Sequence, residues 1–213
     1  MMLRRAITGW IGATLLALTQ GTAWAQISAG SEFTELKPAI PVSTGSKIEV
    51  IEFFYYGCPI CYELQPQMSR WLVQAPDYVA LRRIPALSTE NWEPFAKLYY
   101  SLEVLGEIGR LHWPVYDNFH FDGIRLNDEE IMVGWIARNA IDPKQFTETY
   151  HSAEVLERVA KARETMKTYD VRGVPTIVVD GKYLSSARLA GGTKELMRVV
   201  DQLVSRARKE RPQ

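Results

Sequence analysis

The chain has 213 residues, with 25 basic against 25 acidic side chains, 46% hydrophobic residues and only two cysteines. It is long enough to bury a core without disulfide support. It lacks the basic excess that a nucleic acid or anionic lipid partner demands, and its apolar and charged fractions are those of an ordinary globular protein.

The N-terminus reads MMLRRAITGWIGATLLALTQGTAWAQ. Arg4 and Arg5 precede an apolar stretch from about Ile7 to Leu18, and Ala23-Trp24-Ala25 supplies a small-x-small cleavage site. This is the layout of a secretory signal peptide, residues 1–25. The apolar stretch falls well short of the ~20 residues a membrane-spanning helix needs, which disfavours an anchor. Cleavage leaves 188 residues, with 23 basic against 25 acidic. A basic pair and a short apolar region fit a protein exported to a bacterial periplasm.

Residues 26–46 are rich in Pro, Gly, Ser and Thr and read as an extended lead-in, with a short strand near Phe33 to Leu36. KIEVIEFFYY follows, a β-branched and aromatic run that fits a strand buried on both faces. Pro59, just after Cys58, suits the first turn of a helix, where its missing N–H costs nothing. Leu64, Met68, Trp71 and Leu72 then recur at helical spacing, and Val79 to Ile84 predicts a second strand.

From residue 91 to 168 the pattern is helical throughout, in four or five helices with short connections. Asn91 is a candidate cap, Pro114 a candidate kink or break, and Asn127 to Glu130 a capping-box-like start. Asp142-Pro143 and Ser152 open two more helices. Strand signals return in VRGVPTIVVDGKYLSS, where Asp180-Gly181 predicts a hairpin turn. Thr193 is a candidate cap for a last amphipathic helix, and the charged residues from Arg206 onward are expected to fray.

The two cysteines, Cys58 and Cys61, form a C-x-x-C pair in FFYYGCPICYELQP. Export places them where disulfides persist. Yet a disulfide restrains the unfolded chain more as its loop lengthens, so a bridge over two residues is a poor staple. C-x-x-C is also half a zinc site, but His112, His120 and His151 are not at metal-ligand spacing. No metal is therefore expected.

EFFYYGCPICYELQP and, about 110 residues later, RGVPTIVVDGKYLSS make the sequence resemble the DsbA-type thiol:disulfide oxidoreductases. The resemblance spans essentially the whole mature chain. It implies an α/β thioredoxin fold with an inserted all-helical domain: residues 26–90 as its first part, 91–168 as the insertion and 169–213 as its second part. Chemistry agrees with it. A disulfide exchanger needs one thiol that reacts as thiolate, and a helix N-terminus offers unpaired N–H groups and a partial positive charge. Cys58 is then the nucleophile and Cys61 the buried resolving thiol, with Pro59 and Ile60 between them. The two sulfurs carry the electrons, so no separate cofactor is implied.

The resemblance further implies a cis Val174–Pro175 bond beside the C-x-x-C, leaving the Val174 backbone groups to pair with an extended substrate. It also implies a buried acid, which maps to Glu52. In a strand buried on both faces Glu52 is expected to be unpaired, raised in pKa by desolvation, and a proton acceptor for Cys61; Glu49 is expected to face solvent. Substrates would be unfolded or newly exported proteins with free cysteines. A monomer recycled by a DsbB-type, quinone-linked membrane partner is expected.

One position departs from the family pattern. Ile60 stands where histidine usually precedes the second cysteine. Isoleucine offers neither charge nor hydrogen bond to the Cys58 thiolate. Each pKa unit of lost stabilisation is ~1.4 kcal/mol, or ~30 mV for a two-electron couple. The couple is thus expected to be more reducing than a CPHC pair by tens of millivolts. That leaves isomerase or reductase action as alternatives to oxidation. A non-redox peptide-binding module built on Tyr55, Tyr56, Ile60 and Val174 is the rival of another class.

Overall fold

Residues 48–54 carry large apolar side chains on both faces of an extended chain, broken only by Glu49 and Glu52, and a central strand keeps such a run out of water. In the computed structural model, which describes residues 27–211, they form β2 (Ile48–Phe54), buried at all seven positions. The predicted signal peptide lies outside the described residues. The sheet has five strands in the order β1-β5-β4-β2-β3, with β1 at Thr34–Glu35, β3 at Val79–Pro85, β4 at Thr176–Val179 and β5 at Tyr183–Ser186. β2 runs parallel to β3 and antiparallel to β4. Among the described residues, α1 (Pro59–Gln74) follows β2, five helices lie between β3 and β4, and α7 (Ala187–Ala190) and α8 (Thr193–Glu210) follow β5.

Alternation along β2 sorts the core into two layers. Ile48 and Val50 pack with Leu64 and Met68 of α1 and with Leu196, Val200 and Leu203 of α8. Ile51 and Phe53 pack on the other face, in a cluster with residues of α2 (Glu93–Val104) and α6 (Ala153–Thr168). The remaining inserted helices are α3 (Ile108–His120), α4 (Glu129–Arg138) and α5 (Pro143–Tyr150). Asp128, Asp142 and Ser152 each cap the helix that follows by accepting backbone N–H bonds.

Several local expectations are corrected. Asn91 lies inside a single 3₁₀ turn, Glu90–Trp92, and α2 starts at Glu93 with no side-chain cap. α3 runs through Pro114 without a break. Thr193 does not cap α8; its hydroxyl accepts from Gln67 and donates to Glu63, tying α8 to α1. The C-terminus does not fray at Arg206. Arg206 bonds Glu35 and Glu210, Tyr183 donates to Glu210, and Arg211 pairs with Asp180, so α8 continues to Glu210.

The Asp180-Gly181 turn joins β4 to β5 with φ of 54° and 62°, closed by Lys182 N donating to Val179 O at 3.0 Å. Only glycine fits at 181, because a Cβ there would lie 1.9 Å from the Ile40 carbonyl oxygen. Lys37–Pro38 is a second cis peptide that the sequence does not signal.

Candidate active site

Pro59 fixes the first turn of α1, and Cys58 is its N-cap residue. The chain enters through Gly57, where a Cβ would meet the Tyr55 ring at 2.6 Å. Glycine thus lets Tyr55 lie against the turn and stack flat on Trp92, with ring centroids 4.0 Å apart. Both cysteines are free thiols. Cys58 Sγ accepts from the Cys61 backbone N–H at 3.3 Å and donates to the Val174 carbonyl at 3.7 Å.

Two residues separate two opposite environments. Hydrogen bonding from the Cys61 side chain, helped by the Cys61 and Ile60 backbone N–H groups, outweighs partial burial and lowers the Cys58 thiol from an ordinary 9.0 to about 6. Burial, reinforced by Cys58 itself, pushes the Cys61 thiol well above its ordinary value. Ile60 projects outward, 44% exposed; what it gives Cys58 comes from its backbone, not its side chain.

The Val174–Pro175 peptide is cis and leads into β4. Beside it a groove of about 870 Å³ extends from Ile60 past Val174 and Pro175 to Leu36, Leu184 and Leu189. Short α7, which the periodicity of the sequence does not reveal, forms part of its wall.

Glu52 is fully buried, as expected, but it is not unpaired. One carboxylate oxygen accepts from Gln65 Nε2 at 2.7 Å and the other from Arg83 Nε at 2.9 Å. Register explains the second bond: Glu52 sits directly across from Arg83 in the parallel β2–β3 pair. Glu49 is also buried, not solvent-facing, with Arg82 at 3.5 Å and Ser43 at 3.4 Å. Gln65 and Arg83 are site residues that the sequence reading missed. Gln65 is a polar residue on the same buried helix face as Cys61 and Met68, which is a signal in itself.

The opposite flank of the turn is a wall of rings from α3. Tyr62 stacks on Trp113 and on His120, with centroids 5.3 and 4.9 Å apart, and donates to Asp117 at 2.9 Å. His120 Nε2 lies 2.7 Å from the Tyr56 carbonyl, which can only accept, so that nitrogen carries the proton. His112 is buried; its Nδ1 bonds the Tyr56 hydroxyl at 2.8 Å, and burial holds its pKa well below the usual range. Among the described residues no cluster of three His, Cys, Asp or Glu side chains is arranged to hold a metal ion.

Comparison with known proteins agrees with this geometry. Residues 83–203 match the family described as DSBA-like thioredoxin domain. The thiol:disulfide interchange protein DsbA of Azotobacter vinelandii is 35% identical over 211 residues, covering 97% of this chain and 99% of its own. The protein of the same name from Pseudomonas syringae is 36% identical over 182 residues, 85% of each chain. Among solved structures, Pseudomonas aeruginosa DsbA superposes with a TM-score of 0.81 at 35% identity, covering 86% of this chain and 95% of that one. Xylella fastidiosa DsbA superposes with a TM-score of 0.80 at 28% identity, over 86% of this chain and 98% of that one. The chain belongs to the DsbA family of thiol:disulfide interchange proteins, with a thioredoxin fold carrying a helical insertion.

Proposed function

We propose that this thiol:disulfide oxidoreductase works in the oxidising direction, introducing disulfides into exported proteins by exchange with its own Cys58–Cys61 disulfide. The observation that carries this is the split between the two thiols: Cys58 lowered to about 6, Cys61 buried and raised. A substrate thiolate attacks Cys58 Sγ, and the electron pair of the Cys58–Cys61 bond leaves on Cys61, which takes up a proton. A second substrate thiolate then attacks the substrate sulfur of the mixed disulfide, and Cys58 leaves as a thiolate. The substrate has lost two electrons and the protein has gained them. A leaving group that is stable as thiolate at neutral pH favours the reduced protein, and so the oxidation of the substrate.

In this reading Pro59 and Ile60 set the helix start that serves Cys58. Val174 and Pro175 hold the substrate chain. The Val174 carbonyl loses its thiol donor once Cys58 is in a disulfide and becomes free to accept a substrate N–H. Glu52, held by Arg83 and Gln65, is the acid that receives the Cys61 proton when Cys61 attacks during reoxidation. We read residues 1–25 as the export signal, 26–90 and 169–213 as the thioredoxin part, and 91–168 as the insertion. The protein acts in the periplasm as a monomer, and a DsbB-type, quinone-linked membrane partner returns it to the disulfide. Among the described residues no helix is long and apolar enough to cross a membrane.

The test is to mix the oxidised protein with an unfolded polypeptide carrying two free cysteines. Stoichiometric formation of a substrate disulfide is expected, and none with Cys58→Ser. Equal behaviour of the two proteins would point to a binder without redox turnover. Faster reduction of insulin than oxidation of the peptide would point to a reductase.

A further inference from the structure

Tyr55, Tyr56, Gly57 and Cys58 form a β-turn between β2 and α1, closed by the Cys58 N–H donating to the Tyr55 carbonyl at 3.0 Å. Neither central residue, Tyr56 or Gly57, has a positive φ, which makes this turn type I rather than type II. The two types differ by rotation of one peptide unit, the one that carries the Tyr56 carbonyl and the Gly57 N–H, and type II needs a positive φ at residue 57. A residue with a Cβ would resist that rotation. Glycine does not, because it reaches positive φ about as readily as negative φ. Its presence has a different cause: a Cβ at 57 would meet the Tyr55 ring at 2.6 Å. Clearing room for Tyr55 therefore leaves the turn beside the nucleophile without its usual steric lock.

α3 supplies the lock. Tyr56 is fully buried, so its carbonyl has no water to bond, and among the described residues no backbone N–H bonds it. It accepts instead from His120 Nε2 at 2.7 Å. The Tyr56 hydroxyl meets His112 Nδ1 at 2.8 Å, so the same helix also anchors the far end of the side chain. With the ring held by α3, and Cys58 held as the N-cap of α1, only the peptide between them is left to turn.

We propose that His120 is a positioning residue: its hydrogen bond to the Tyr56 carbonyl selects the type I form of the active-site turn and keeps that oxygen off the flank where Cys58 reacts. The effect on Cys58 rests on the exchange reading above; the state of the turn does not. In the type I form the carbonyl points at α3, whereas Cys58 Sγ lies toward the Val174 carbonyl. Without His120 the buried oxygen loses its donor, and a turn to type II swings it to the side away from α3. There its negative end faces the side of the Cys58 sulfur and opposes the thiolate. Neutral imidazole with its proton on Nε2 and protonated imidazole both donate from that nitrogen, so the lock holds on either side of the histidine titration. The helical insertion thus reaches the nucleophile through one main-chain oxygen.

Nuclear magnetic resonance of the reduced protein tests this. In the wild type, the nitrogen chemical shifts of His120 are expected to place a proton on Nε2. The Tyr56 and Gly57 amide protons are expected to share a strong nuclear Overhauser contact, the mark of type I. In His120→Leu the strong contact is expected to move to the Tyr56 Hα and the Gly57 amide, the mark of type II. The equilibrium with glutathione is expected to shift about fivefold toward the disulfide form, the ratio that one ordinary hydrogen bond sets between two states. His120→Gln keeps a side-chain N–H donor but neither the charge nor the ring that stacks on Tyr62, and it is expected to match the wild type in both readouts. A bare Nε2 or a type II pattern in the wild type would overturn the proposal without recourse to any variant. So would a type I pattern that persists in His120→Leu, or a His120→Gln protein that behaves like His120→Leu, since the latter marks stacking or charge. A wild type that shows the type I pattern and the histidine proton, yet does not react with glutathione, would overturn the exchange reading and leave the turn assignment standing.

Discussion

On one flank of Cys58 lies the loop that carries Val174 and Pro175, and on the other stand the rings of α3. The first offers Cys58 a main-chain carbonyl and opens onto a groove of about 870 Å³. The second packs Tyr116 and His120 against Tyr56 and Tyr62 in a connected set of rings. Main-chain groups bind any polypeptide, whatever its side chains. Side chains can be tuned for one sulfur. The contrast matches the two cysteines: Cys58 is partly exposed, and Cys61 is fully buried.

The largest expected effect strikes the floor common to both flanks. Arg83→Met leaves Glu52 with Gln65 alone, a buried carboxylate without its cation. Breaking such a pair should cost roughly 3 kcal/mol in urea unfolding at neutral pH. A loss below about 1 kcal/mol, typical of an exposed pair, would mean that Glu52 does not depend on Arg83. The next effect separates the flanks. Leu189→Asp puts a charge in the groove wall but leaves the α3 side untouched. Oxidation of an unfolded polypeptide should slow about tenfold, the size of a well-placed apolar contact, while reaction with glutathione stays the same. Equal slowing of both would show that the groove is not where the polypeptide lies. The smallest effect sits at the border between the flanks. Ile60→His should make the couple more oxidising by about 30 mV for each ~1.4 kcal/mol gained by the Cys58 thiolate, measured by equilibrium with glutathione. An unchanged potential would mean that the backbone alone sets this couple.

What could be read from the sequence followed the same division. Cys58 at a helix start, Gly57 before it, and the Asp180-Gly181 hairpin are each decided within a few residues of chain, and local chemistry names them. The α3 wall is different. Tyr62 meets Trp113 and His120 only because α3 packs on α1, about 50 residues away in sequence. Glu52 shows the limit most clearly. Its burial followed from the run around it, but its partner Arg83 followed from the β2–β3 register, which composition does not reveal. Read alone, Glu52 is an unpaired acid; with its neighbouring strand in place, it is half of an ion pair. α7 was missed because four residues are too few to show a period.

The central claim is that Cys58 is the thiolate of this pair at neutral pH. Thiolate absorbance of the reduced protein, followed against pH, tests it most directly. Because the Cys58 thiol is lowered to about 6 and that of Cys61 is raised, one ionisation should appear near pH 6. It should vanish in Cys58→Ser and persist in Cys61→Ala, moved upward by loss of the Cys61 side chain's hydrogen bond. No ionisation until the ordinary thiol range, about pH 8.5, would contradict the account.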